Sequence, residues 1–158
     1  MYKRILVAVD GSPTSNNALT AALQMARESD GQVRFIHVVD DLVFFSGLDA
    51  YSGYSAELIR IAQDQGKQIL ADATVIANSA GVAADSILFE KLGDHLAETV
   101  AGEARRWDAD LVVVGTHGRR GVGRMFLGSG AEQIIRLSPI PVLVVRSQED
   151  AGNSKCNT

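Results

Sequence analysis

The chain has little cysteine and little proline. Its 158 residues include one cysteine, Cys156, so neither an intramolecular disulfide nor a cysteine-based metal site is expected. Three prolines and a hydrophobic content of 46% exclude the composition of a disordered polymer. The length is typical of one domain, and the sequence predicts a single folded domain over residues 1–146 with a polar tail over 147–158.

The chain also lacks excess positive charge and long apolar runs. Its formal net charge is −4, which argues against nucleic acid or anionic lipid as a general partner. The first apolar run, residues 5–9, is too short for a signal peptide, and no later stretch approaches the roughly 20 apolar residues that span a membrane. We therefore expect a cytoplasmic protein without a membrane segment.

Short apolar runs alternate along the chain with longer segments of helical period. This pattern is typical of β-α units around a mostly parallel sheet, so the predicted fold class is α/β. The third strand alternates in polarity and is expected near a sheet edge. The five strands are predicted at residues 4–10, 33–39, 84–90, 110–115 and 142–146.

Helices are predicted in the segments between these strands. Ser12 and Pro13 start the first and Gly31 ends it, Gly81 ends the second, and Asp94 caps the third. Ser129 opens the fourth. The residues expected to face the core are Ala18, Leu19, Ala22, Met25 and Ala26 in the first helix, Leu58, Ile61, Ile69, Ala73, Ile76 and Ala80 in the second, Leu96, Val100, Ala104 and Trp107 in the third, and Ile134 and Ile135 in the fourth.

A glycine-rich loop follows the fourth predicted strand. Glycines let consecutive backbone N–H groups converge on an anion, and the helix after the loop offers unpaired N–H groups at its N-terminus. A capping box formed by Ser129 and Glu132 is the alternative explanation of that helix start. The loop lacks the Lys-Ser or Lys-Thr of a Walker A motif and the spacing of a dinucleotide fingerprint. The residues behind the phosphate-binding interpretation are Gly115, Gly118, Gly121, Gly123, Gly128 and Gly130, with Arg119, Arg120 and Arg124 adding local positive charge.

The spacing Gly-x2-Gly-x9-Gly-Ser from Gly115 to Ser129 resembles the nucleotide-binding signature of the universal stress protein family. ILVAVDGS at residues 5–12, FIHVVD at 35–40 and SPIPVLVVR at 138–146 resemble other parts of that family. The resemblance implies an open five-stranded parallel sheet in the order 3-2-1-4-5 with helices on both faces. It also implies binding of ATP, with magnesium as its expected companion, because members with the complete glycine signature bind ATP.

Site residues carried over from the resemblance fall into two groups. One borders adenosine, and the other follows the ribose and phosphates; the family more often has a branched residue at position 130. The sequence itself offers no evident general base and no acidic pair for two metals, so no catalytic residue and no protein-bound metal are predicted. The first group is Ala8, Val9, Asp10 and Val38, and the second is Gly115, His117, Gly118, Arg119, Gly128, Ser129, Gly130 and Ala131.

Several single residues have two interpretations. Asp10 either bonds a ribose hydroxyl or approaches phosphate-bound magnesium, or else it favours the start of the adjacent helix. His117 is either a phosphate contact or an ordinary loop histidine, whereas His37 and His95 are interpreted as structural. The insertion at residues 40–54 carries Phe44, Phe45, Tyr51 and Tyr54, either as a lid or partner surface or as a small packed cluster.

The last strand would lie at a sheet edge in the implied order, and family members commonly pair it with its symmetry mate. We therefore expect a homodimer through Val142, Leu143, Val144 and Val145. The leading functional hypothesis is an ATP-binding stress-response regulator or sensor. The alternatives are a slow ATP-hydrolysing or self-phosphorylating enzyme, and a nucleotide-independent interaction module.

Overall fold

The computed structural model describes residues 1–39, 54–90, 93–117 and 127–146, and the side chains of residues 54 and 55 are not among the described parts. The predicted polar tail and most of the aromatic insertion lie outside these ranges. The elements in chain order are β1 (Arg4–Ala8), α1 (Pro13–Ser29), β2 (Gln32–Val38), α2 (Tyr54–Ser79), β3 (Ala83–Phe89), α3 (Leu96–Arg106), β4 (Leu111–Gly115), α4 (Ser129–Leu137) and β5 (Val142–Val145).

The sheet has five parallel strands in the order β3-β2-β1-β4-β5, which confirms the predicted fold. β1 lies at the centre and pairs with β2 on one side and β4 on the other, with Ile5 opposite both Val33 and Leu111. The predicted strand positions are confirmed, with ends that differ by one or two residues. β1 ends at Ala8 rather than residue 10, although the Val9 N–H still donates to the Ile36 carbonyl at 2.9 Å.

Two hydrophobic cores cover the two faces of the sheet. One is formed by α1 and α2 over one face, and the other by α3 and α4 over the opposite face. Alternate residues of β1 divide between them, since Ile5 and Val7 face the first core and Leu6 faces the second. The central strands are buried on both sides, as their continuous apolar sequences predict.

α1 begins as predicted and ends differently. Ser12 is its N-cap, accepting from the Ser15 N–H at 3.2 Å, and Pro13 is the first helical residue. The C-cap is Asp30, in the left-handed conformation at φ 51°, rather than Gly31. Glycine is required at position 31 for a steric reason: a Cβ there would lie 2.8 Å from the carbonyl oxygen of Lys3, the residue before β1.

The predicted inner face of α2 is wrong in part. Leu58, Ile61 and Ile76 are 43%, 44% and 49% exposed. Ala73 is buried as predicted, and the predicted Ile69 and Ala80 pack partly against the core. The rest of the buried face is formed by Gly66, Leu70 and Ala77. A Cβ on Gly66 would lie 2.7 Å from the His37 ring and 2.8 Å from Leu88, so the small residues let α2 approach β2 and β3 closely.

Two further predictions on the other face need correction. The N-cap of α3 is His95 rather than Asp94, and its side chain makes no capping hydrogen bond. In α4, Ile134 is buried as predicted, but Ile135 is 44% exposed because the short helix turns only one narrow stripe inward.

An ionic cluster around the buried Glu103 joins α3 to the sheet. Glu103 of α3 is 2% exposed and accepts hydrogen bonds from Arg34 of β2, at 2.8 Å, and from Arg106. Arg34 also bonds Asp85 of β3, which raises the pKa of the Arg34 guanidinium above its usual value against the opposing effect of burial, and the bond to Glu103 adds to the increase. The guanidinium lies 4.7 Å from the ring centroid of Trp107, a cation–π distance.

The lack of long apolar runs in the sequence predicts no membrane-spanning segment. Among the described helices, none combines the length and apolar content that crossing a bilayer requires.

Candidate functional site

The strand order predicts a crevice at the carboxyl ends of the central strands. After β1 the chain turns to α1 on one face, whereas the chain returns after β4 as α4 on the other face. In an open α/β sheet, ligands bind where neighbouring strands send their connections to opposite faces. The predicted site residues that the structure describes lie at these strand ends or at the N-terminus of α4.

Asp10 lies at the end of β1, in the turn that leads to α1. Its Oδ1 accepts a hydrogen bond from the Ser12 N–H at 2.9 Å, and its own N–H donates to Ser15 Oγ at 3.1 Å. The carboxylate is half-buried at the border of the crevice. The bond between the Asp10 carboxylate and the Ser12 N–H agrees with the helix-start interpretation of Asp10.

The first turn of α1 is packed tightly against the end of β4. A Cβ on Gly115 would lie 2.7 Å from the Thr14 carbonyl carbon and 2.8 Å from the Thr14 oxygen. Thr14 Oγ1 donates to the His117 carbonyl, and Ser12 Oγ donates to the same oxygen at 3.4 Å. Two hydroxyl groups, from the N-cap and the first turn of α1, therefore hold the chain as it leaves β4. Sequence reasoning missed both contacts, because the residues are about 100 positions apart.

The N-terminus of α4 faces this strand end. The N-cap is Gly128, and its N–H donates to the Thr116 carbonyl at 2.7 Å, which ties the helix start to β4. The predicted capping box is wrong: Ser129 is the first helical residue, no side chain caps the helix, and Glu132 pairs with Arg136 at 2.9 Å. In the described part of the chain, no hydrogen bond uses the N–H groups of residues 129–131.

Two buried polar atoms beside this helix start also have no hydrogen-bond partner among the described residues. They are Thr116 Oγ1 and His117 Nε2. Thr116 is 4% exposed and was not singled out from the sequence, although a polar residue directly after an apolar strand is a usable signal. Buried polar atoms in native proteins are normally satisfied by protein groups, water or a bound ligand, so these two atoms are candidates for a contact outside the described residues.

The remaining described site residues are apolar and border the crevice. Ala8 and Val38 are half-buried at the ends of β1 and β2, and Val9 is 5% exposed. Gly118 and Arg119, together with Arg120, Arg124 and the rest of the glycine-rich loop up to residue 126, lie outside the described residues. The described residues contain no group of three or more His, Cys, Asp or Glu side chains placed to hold a metal ion.

Comparison with known proteins identifies the family. The family model described as "Universal stress protein family" matches residues 1–146. The chain belongs to the universal stress protein family. It is 37% identical to a universal stress protein of Methanocaldococcus jannaschii, over 92% of this chain and 83% of that one. It is 34% identical to a putative universal stress protein of Staphylococcus epidermidis, over 94% and 86% of the two chains.

Solved structures of universal stress proteins share this architecture. A family protein from Burkholderia pseudomallei is 33% identical with a TM-score of 0.73, and the match covers 92% of this chain and 97% of that one. An Archaeoglobus fulgidus universal stress protein was solved in complex with dAMP (23% identity, TM-score 0.65), and an Arabidopsis thaliana family protein with AMP bound (20%, TM-score 0.65). These two likenesses show the common fold.

Proposed function

We propose that this universal stress protein is a cytoplasmic, homodimeric ATP-binding protein whose nucleotide occupancy sets its conformation or its choice of partner. The observation that carries the proposal is the uncapped N-terminus of α4 beside the ends of β1 and β4. A helix N-terminus with free N–H groups and a favourable dipole stabilises phosphate. The adenine nucleotides bound by the Archaeoglobus and Arabidopsis relatives support this ligand class.

The described residues fit the two ends of the ligand. The apolar Ala8, Val9 and Val38 suit an adenosine, and we propose that Asp10 bonds a ribose hydroxyl. Backbone N–H groups of Ser129, Gly130 and Ala131, together with His117 Nε2, suit the phosphates, whereas the Gly128 N–H already donates to the Thr116 carbonyl. Magnesium, where it accompanies the nucleotide, would be bound mainly by phosphate oxygens and water, as is usual for this ion.

The described site lacks the parts of a fast phosphoryl-transfer enzyme. Such enzymes place a base or a water-positioning residue at the nucleophile and fix magnesium with acidic ligands. Asp10 instead uses an oxygen to accept the Ser12 N–H at the start of α1. We propose binding as the primary function, with hydrolysis or self-phosphorylation at most slow.

Replacing Ser129 by proline tests the phosphate contact directly. Proline is well tolerated at the first helical position, and Gly128 before it has the extended conformation (φ −61°, ψ 147°) that a residue preceding proline needs. Ser129→Pro therefore deletes one N–H donor without breaking α4. Ser129→Ala is the matched control, since it removes the hydroxyl and keeps the N–H.

Calorimetry should show that the wild type binds ATP. The affinity for ATP should be about tenfold or more lower in Ser129→Pro than in Ser129→Ala. ATP at about a thousand times its Kd should stabilise the wild-type fold by about 4 kcal/mol. A wild type that binds no adenine nucleotide would overturn the proposal. Equal affinities in the proline and alanine variants would remove the N-terminus of α4 as the phosphate site.

A further inference from the structure

His37 is buried in β2 and bonded to the backbone of β1. Its side chain is 8% exposed, and its Nδ1 lies 2.7 Å from the Val9 carbonyl oxygen. A carbonyl oxygen only accepts, so Nδ1 carries the proton and donates. Gly66 of α2 brings that helix directly against the imidazole, since a Cβ at Gly66 would lie 2.7 Å from His37 Cδ2. The ring is therefore fixed by packing as well as by its hydrogen bond.

The hydrogen bond from His37 fixes the peptide unit that joins Val9 to Asp10. The carbonyl of this unit accepts from His37 Nδ1, and its N–H donates to Ser15 Oγ at 3.1 Å. β1 has already ended at Ala8, so the regular strand ladder does not hold this unit. Two side chains from β2 and α1 orient it instead.

We propose that His37 is a positioning residue of the nucleotide site, acting through the Val9 carbonyl on Asp10. This inference rests on the proposed function. Because the peptide plane is rigid, holding its carbonyl restricts the rotation that would carry Asp10 away from the crevice. With the backbone of Asp10 held in this way, its carboxylate accepts the hydrogen bond from the Ser12 N–H in a defined position.

Two variants separate hydrogen bonding from packing. His37→Phe keeps a planar ring of similar size and removes the donor, whereas His37→Asn places an amide N–H close to the position of Nδ1. Phe35→Leu is the control, because Phe35 is fully buried in the same strand and contributes to the core without bonding the Val9–Asp10 peptide. It should lower stability and leave the site unchanged.

Amide hydrogen exchange in the free protein tests the positioning without any ligand. We expect the Asp10 N–H to exchange about tenfold faster in His37→Phe and near the wild-type rate in His37→Asn and Phe35→Leu. Equal exchange in wild type and His37→Phe would overturn the proposal. If His37→Phe does not fold, imidazole nitrogen spectra of the wild type decide instead: a neutral ring protonated only on Nε2 would overturn it.

Calorimetry with ATP tests the consequence for binding. The Kd should rise about tenfold in His37→Phe and return to within about threefold of wild type in His37→Asn. If Phe35→Leu raised the Kd for ATP as much as His37→Phe does, the effect would come from packing and the proposal would be overturned. A wild type without ATP affinity contradicts the proposed function instead, and the exchange measurement still decides whether His37 holds the peptide.

Discussion

Position 115 has no room for a side chain, because a Cβ there would lie 2.7 Å from the carbonyl carbon of Thr14 in α1. Gly115→Ala should force the first turn of α1 away from β4. We expect the free energy of unfolding to fall by about 1–3 kcal/mol, as for other overpacked positions. The ATP Kd should rise about tenfold, because the same turn holds Asp10 and the His117 carbonyl. Urea denaturation and calorimetry measure the two effects.

Gly102 provides the matched control for this substitution. It lies inside α3, and a Cβ there would have no neighbour within 4 Å. Gly102→Ala should raise the free energy of unfolding by about 0.5–1 kcal/mol, since alanine favours helix more than glycine does. Equal changes in ATP affinity for the two variants would refute the role of the close approach at Gly115.

A second residue-level prediction concerns the buried carboxylate of Glu103. Glu103→Ala leaves Arg34 and Arg106 without their shared acceptor and should lower the free energy of unfolding by about 3 kcal/mol. Glu57→Ala is the comparison, because Glu57 pairs with Arg60 on the exposed side of α2 and should lose less than about 1 kcal/mol. Trp107 lies beside the Glu103 cluster, and its fluorescence follows unfolding. Similar losses for both variants would contradict the burial argument.

At the scale of the element, only one of the two serines considered as helix caps forms a capping hydrogen bond. Ser12 caps α1 by accepting from the Ser15 N–H, whereas Ser129 lies inside the first turn of α4 and caps nothing. Ser12→Ala should therefore lower the free energy of unfolding by about 1 kcal/mol, and Ser129→Ala by less than about 0.5 kcal/mol. Thermal denaturation of the nucleotide-free variants measures the difference. If Ser129→Ala lowered the free energy of unfolding by more than Ser12→Ala does, Ser129 would have to be a capping residue after all.

The helices also show what periodicity can and cannot predict. The positions of the strands and helices could be predicted, because apolar runs and caps are local features. The inner face of α2 could be predicted only in part, because Ala73 lies on it as predicted, whereas Leu58 and Ile61 are exposed and the smaller Gly66 and Ala77 are buried. Size decided the face: a helix this close to His37 and Leu88 has room only for small residues there.

The candidate site follows the same division between local and distant information. The meeting of β1, β4 and α4 at the sheet centre could be anticipated, since the resemblance implied the strand order and the order determines the crevice. The bonds from His37 to Val9 and from Thr14 to the His117 carbonyl could not, because they join residues that only the finished fold brings together.

At the scale of the whole molecule, β5 forms one open edge of the sheet. Its four residues are half-buried, and Ile135 and Leu137 of the neighbouring α4 are 44% and 43% exposed. An open apolar edge favours pairing with another chain, which supports the proposed homodimer. The Pro141 and Val145 carbonyls accept from β4, so the alternation of a strand directs the backbone N–H of Val144 outward.

Val144→Pro should therefore abolish dimerisation and spare the fold, because proline removes an N–H that the β4 ladder does not use. Ser86→Pro is the matched control on the opposite edge. The Phe89 carbonyl of β3 accepts from Val39, so the same alternation turns the Ser86 N–H away from β2. Light scattering after size exclusion should give a monomer for Val144→Pro and a dimer for wild type and Ser86→Pro. A Val144→Pro protein that stays dimeric, or a Ser86→Pro protein that dissociates, would place the interface elsewhere than β5.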